Sequence, residues 1–306
     1  MGSEQMVMFQ ESVDFSGVKR KRLTIFVVLS IVIGWAILFL IPLTGLTYGE
    51  GASVIILAAM MFSPALSSIL TRLITKEGFK NMYLRPNFKG HIKEYLLVFL
   101  GPSILLFLSG AVYFLFFPGN FDSEFTELNT LLAVNGPKGV SAVTMLIISI
   151  LQVMIIGPII NIIPTMGEEL GWRGYLLPKL QEFFPDRMAL VITGVVWGIW
   201  HLPVIVMGHN YGTNYIGYPW LGILAMIIFC VVLGIIEGYA TIKLKSAVPA
   251  AMIHSTVNAG AALPILLAKG GYNTLLGPAI TGLVGGIPFI IVAAILFVKI
   301  GHRGSF

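Results

Sequence analysis

Long apolar runs separated by short polar connections dominate this chain. A run of about 20 apolar residues is long enough to cross a ~30 Å hydrocarbon core as a helix. Eight such runs can be drawn, at 23–43, 51–71, 95–117, 141–163, 189–208, 219–241, 247–268 and 276–298. A closed membrane barrel would instead show segments of ~10 residues alternating polar and apolar, and the chain lacks them. The pattern therefore predicts an all-α, polytopic membrane protein of about eight transmembrane helices. Inside a bilayer each such helix satisfies its own backbone hydrogen bonds.

Composition sharpens this reading. Hydrophobic residues make up 57% of the 306 positions and charged residues only 11%, about half the charge of a typical soluble domain. The formal net charge is +5, but its placement points away from nucleic acid. If both termini are cytoplasmic, all of the 19 Lys and Arg residues except Lys138 and Lys269 fall in inward-facing connections or tails. The outward connections carry Glu50, Asp122, Glu124 and Glu127. Short inward loops enriched in basic residues are the ordinary signature of membrane topology, and an odd number of spans would break the alternation.

The chain divides on this basis into a cytoplasmic N-terminal segment (1–22), three helices with their loops (23–139), a central core (140–265), and a last helix with a short cytoplasmic tail (266–306). Lys19 to Arg22 lead into an apolar run without a small-residue cleavage site, as an uncleaved signal anchor does. Residues 79–94 mix basic and aromatic side chains, which suits either a segment lying on anionic headgroups or an ordinary inward loop. Cys230 is the single cysteine, so no cysteine metal site or disulfide framework is available.

Ionisable and polar side chains within such helices are costly and usually face a bundle interior. They cluster in the stretch MGEELGWRGYLLP (166–178), at His201, at Glu237, and at His254 with Asn258. Glu169 and Arg173 are spaced for an i,i+4 ion pair in the favourable order, which leaves Glu168 as the unpaired carboxylate. Trp172, four residues after Glu168, is expected to cover it and exclude water. An unpaired carboxylate beside apolar surface is suited to take a proton from water. His254 and Asn258 share a helix face. Glu237 could line a site, pair with Arg173 or Lys243, or reach toward the interface. His91, His209 and His302 fall in connections or the tail, where solvated histidines are expected.

Three helices thus offer a carboxylate, two imidazoles and a carboxamide at similar depth, the inventory for hydrolysis by an activated water. Glu168-Glu169-x-x-x-Arg173, an aromatic four before His201, and His254-x-x-x-Asn258, in that order, resemble the three motifs of the CAAX-protease and bacteriocin-processing (CPBP, or Abi) intramembrane proteases. That family includes the type II CAAX prenyl endopeptidases, and the resemblance covers about 140–265, making this the expected catalytic core. It implies that Glu168 with His201 activates water, that His254 and Asn258 stabilise the oxyanion, and that Glu169 and Arg173 support them. Trp197 stands where the family usually has phenylalanine, a difference expected to alter the pocket wall more than the chemistry.

The family is commonly labelled metalloprotease. Glu168, His201 and His254 are the candidate ligands for a divalent metal such as zinc, and metal-free activation of water would use the same atoms. The expected partners are the lipid bilayer and a membrane-associated or lipidated peptide, with no nucleic acid. Oligomeric state is left open. In a bacterial source the protein would sit in the plasma membrane with its site facing the cytoplasmic leaflet. Pheromone or bacteriocin peptides would then replace prenylated proteins as substrates. Two other readings remain at this point: a non-catalytic immunity or scaffold protein of the same fold, and a proton-coupled transporter.

Overall fold

The computed structural model describes residues 3–301, with side chains described over 17–300 apart from Leu131 and Asn135; His302 and Arg303 lie outside the described residues. Most of the described residues are helical. It begins with α1 (Ser3–Leu43), α2 (Ser53–Met61), α3 (Ser63–Ile74), α4 (Ile92–Phe116) and α5 (Thr126–Asn135). The central core follows as α6 (Ala142–Leu151), α7 (Gly157–Ile160), α8 (Ile162–Gly171), α9 (Leu177–Leu180), α10 (Asp186–Trp200) and α11 (Leu202–Val206). Three further helices, α12 (Trp220–Leu244), α13 (Val248–Gly260) and α14 (Ile287–Gly301), close the chain. Among the described residues the only strand-like feature is an isolated bridge between Phe121 and Ala268.

Among the described residues, five helical segments are long and apolar enough to cross a membrane: Gly17–Leu43, Ile92–Phe116, Ala142–Ile160, Trp220–Leu244 and Val248–Leu267. The pair α2 and α3, bent by 41°, supplies a sixth if it counts as one span. The expected runs 189–208 and 276–298 form shorter helices. In the first, α10 ends at Trp200 and a short new helix begins at Leu202 with Pro203 in its first turn, because proline offers no N–H to continue the ladder. In the second, 276–286 winds through turns before α14 starts.

Two π turns interrupt the central core, Gln152–Ile156 and Trp172–Leu176. Each is followed two residues later by a proline, Pro158 or Pro178, whose missing N–H removes a bond that would hold the α register. The second π turn falls on Arg173 itself. Farther along, α10 packs closely on α12 because Gly194 and Gly198 carry no side chains. A Cβ on them would stand 2.6 Å from Val231 Cα and 2.7 Å from Ile227 Cα. This approach brings Trp197 and His201 against the middle of α12.

The basic connections meet at one end of the bundle. Glu77 receives Lys179 at 2.6 Å, Arg22 at 3.5 Å and Arg72 at 3.8 Å, with the Tyr175 hydroxyl donating to it at 2.8 Å. Partial burial pushes the Glu77 carboxyl up, but its Lys179 and Tyr175 hydrogen bonds outweigh this and hold it below its ordinary range. Lys19 pairs with Glu182, and Lys243 with Glu94. Asn87 donates to Leu244 O, and Arg187 donates to Phe297 O and Val298 O. The opposite end is tied by Tyr48 to His209, Tyr211 to Thr281 O, and Asp122 N to Leu267 O. The charge pattern along the sequence thus corresponds to a physical polarity of the bundle.

Candidate active site

Helices α8, α10, α12 and α13 enclose two layers of polar side chains. The layer nearer the basic end is an ion cluster. Arg173 Nη1 donates to Glu169 Oε1 at 2.8 Å, and its Nη2 lies 2.5 Å from Glu237 Oε2. The guanidinium also sits 4.4 Å from the centre of the Trp197 ring. His254 Nδ1 lies 2.9 Å from Glu169 Oε1. Arg173, Glu169 and Glu237 are all 0% exposed. Burying one guanidinium between two carboxylates is tolerable only because each ion has a partner at contact distance. The i,i+4 pair expected from the sequence forms, and Glu237 takes the second of its candidate roles by joining Arg173 rather than Lys243.

The second layer lines a cavity of about 230 Å³. Glu168 reaches it from α8, His201 from the end of α10, and His254 and Asn258 from α13. Glu168 Oε2 accepts a hydrogen bond from the Trp197 indole N–H at 2.8 Å. His201 Nδ1 lies 2.9 Å from Trp197 O; a carbonyl only accepts, so the proton sits on Nδ1 and Nε2 is the basic nitrogen. Trp197 therefore holds Glu168 through its side chain and His201 through its backbone. Asn258 is exposed, and Met60, Met226, Phe229, Leu233 and Val257 supply apolar wall.

Several expectations need correction here. Trp172 packs edge-on against Phe26 and Trp200, with ring centres 6.0 and 5.8 Å apart, and its indole also neighbours Glu168. The indole N–H that donates to Glu168 at 2.8 Å is that of Trp197, so the departure from phenylalanine reaches the carboxylate and is more than a change of wall. His209 is not a solvated loop histidine. It lines the cavity, its Nδ1 lies 2.5 Å from the Tyr48 hydroxyl, and its ring is stacked on His201 with centres 6.3 Å and planes 9° apart. Nothing local in the sequence signalled this, because the contact joins residues 161 positions apart.

The metal candidates also need revision. Among the described residues, the carboxylate and imidazole atoms that gather within 4.8 Å of one another belong to Glu169, Glu237 and His254. They are not the trio Glu168, His201 and His254. In that gathered set, Arg173 already bridges Glu169 and Glu237. A cation there would meet a fixed positive charge at contact distance, so this donor set does not fit a resident divalent metal.

Two comparisons bear on this geometry. The family model described as "Type II CAAX prenyl endopeptidase Rce1-like" matches residues 138–260. A curated protein, CAAX prenyl protease 2 of Methanococcus maripaludis, is 32% identical over 93 residues, which is 30% of this chain and 34% of that protein. The match thus spans about a third of the length of that relative. Glu168, Glu169, Arg173, Trp197, His201, Glu237, His254 and Asn258 all fall inside 138–260, the segment that is similar to that family model.

Proposed function

We propose that the protein is an intramembrane endopeptidase that hydrolyses a peptide bond of a membrane-associated or lipid-anchored peptide. One observation carries the reading. Glu168 lines the cavity with a neutral indole N–H as its hydrogen-bond partner, while the neighbouring cation is taken up by Glu169 and Glu237. A carboxylate kept clear of an ion pair can act as a base.

In this reading Glu168 takes a proton from a water oriented by His201 Nε2. The water oxygen bonds to the substrate carbonyl carbon, and negative charge develops on the carbonyl oxygen. Asn258 donates to that oxygen through its carboxamide. His254, held by Glu169, donates through Nε2 in its doubly protonated form. Such donors typically contribute about 10²–10³ in rate each. Glu168 then returns the proton to the amide nitrogen as the C–N bond breaks, giving a carboxylic acid and an amine, and transfer of the acid's proton to the amine leaves a carboxylate and an ammonium group. Glu169, Arg173 and Glu237 fix the positions of these groups without touching the reacting atoms. No step needs a metal.

The test uses purified protein in detergent with quenched peptides, lipidated and plain, in water enriched in oxygen-18. The expected product carries one heavy oxygen in its new carboxylate. Folded protein that cleaves none of the peptides would favour a binding or immunity role for the same cavity.

A further inference from the structure

We infer that His209 is a substrate-binding residue of the cavity, whose Nε2–H donates to a main-chain carbonyl of the bound peptide two residues from the scissile one. Tyr48 acts through it as a positioning residue. The inference deepens the protease reading and rests on it.

His209 reaches the cavity because of the way α11 ends. Gly208 N–H bonds to Ile205 O at 3.0 Å and His209 N–H to Val204 O at 2.9 Å, the paired bonds of a Schellman cap. Such a cap needs a left-handed residue, and Gly208 supplies it at φ +96°. The chain therefore folds back over the helix end it has just left. His209 comes to lie parallel to His201, with ring planes 9° and centres 6.3 Å apart. The residues that follow hold the turn in place: Asn210 Nδ2 lies 3.6 Å from Met226 Sδ, and the Tyr211 hydroxyl donates to Thr281 O at 3.0 Å.

Tyr48 sets the proton on the ring. Its hydroxyl oxygen lies 2.5 Å from His209 Nδ1 and has no other hydrogen-bond partner among the described residues. The phenol O–H therefore donates to Nδ1, and the neutral imidazole carries its proton on Nε2. A protonated ring would carry an N–H there as well. Among the described residues Nε2 has no partner, yet it keeps accessible surface, and His209 lines the cavity together with Glu168 and His201. An N–H donor is thus held ready beside the proposed base, with no protein acceptor of its own.

Spacing identifies the acceptor. An extended peptide rises ~3.3 Å per residue and turns every second carbonyl to the same side, so same-side carbonyls repeat at ~6.6 Å. The parallel imidazoles repeat at 6.3 Å. With the scissile carbonyl at the water that His201 orients, the carbonyl two residues away meets His209. A bond to the main chain fixes the register of the peptide without reading its side chains, which leaves their selection to the apolar wall.

The test uses the full-length protein in detergent, a peptide it cleaves, and two analogues of that peptide. In each analogue a trans-alkene replaces the peptide bond whose carbonyl lies two residues before or two residues after the scissile one. The alkene keeps the extended shape and removes the acceptor. In wild type one of the two analogues should show a KM raised roughly three- to tenfold, as expected for one hydrogen bond, with little change in kcat. In His209→Phe that analogue should be penalised no further than the parent peptide. In His209→Gln, whose carboxamide keeps a donor, part of the penalty should return. Tyr48→Phe should shrink the penalty, and decides the matter if His209→Phe does not fold. A penalty of equal size in wild type and in the folded variant, or no penalty from either analogue in wild type, would overturn the inference and leave the protease reading standing. Absence of cleavage of any peptide by folded wild type would overturn that reading, and the inference with it.

Discussion

At the scale of single residues, Trp197 is where this chain departs most from the expectation its sequence raised. An aromatic ring four before a histidine can be read from the sequence, but the direction of its N–H cannot. That N–H points at Glu168, and a phenylalanine there would leave the carboxylate without this donor. A hydrogen bond to a charged group contributes about 1.5–3 kcal/mol. Trp197→Phe should therefore lower kcat by roughly ten- to a hundredfold while changing KM little, since the indole N–H contacts the base and not the substrate. Steady-state kinetics on a cleaved peptide checks this, and an unchanged kcat would reduce the indole to wall. His209 was illegible at this scale, and for Glu237 the pairing with Arg173 was one option among several, because the partners Tyr48 and Arg173 are distant in sequence and only the assembled helices bring them together.

At the scale of elements, local spacing was a good guide and long-range packing was not. Glu169 with Arg173, one turn apart, form the pair their spacing predicts. The π turn at Trp172–Leu176, which was not foreseen, turns Arg173 toward α12 as well, where it meets Glu237. Loss of one partner from a buried ion group costs about 3–5 kcal/mol, because the remaining charges stay desolvated and uncompensated. Arg173→Met should lower the thermal midpoint by several degrees in detergent, with Glu237→Gln in the same background recovering part of the loss. An unchanged midpoint in Arg173→Met would mean that the cluster contributes nothing to stability. The helix count was the weaker expectation. Hydropathy sees a continuous run at 189–208, but Pro203 divides it just after His201. The break places that imidazole at a helix end, where its ring faces the cavity.

At the scale of the whole molecule, the distribution of basic residues along the sequence and their convergence in space agree, so the bundle has a defined polarity. What the sequence left hidden is how the interior is layered: a sealed ion cluster toward the basic end and an open cavity beyond it. The similarity over 138–260 and the lining of the cavity both support the proposed chemistry, in which Glu168 is the base. The most direct measurement compares cleavage by wild type, Glu168→Gln and Glu168→Asp under single-turnover conditions, with the thermal midpoint of each recorded in parallel. Loss of a general base typically costs about 10²–10⁴ in rate. The account predicts a fall of that size in Glu168→Gln, partial activity in Glu168→Asp, and midpoints close to wild type because Glu168 belongs to no ion pair. Retention of wild-type cleavage by well-folded Glu168→Gln would contradict the account and place the base elsewhere in the cavity.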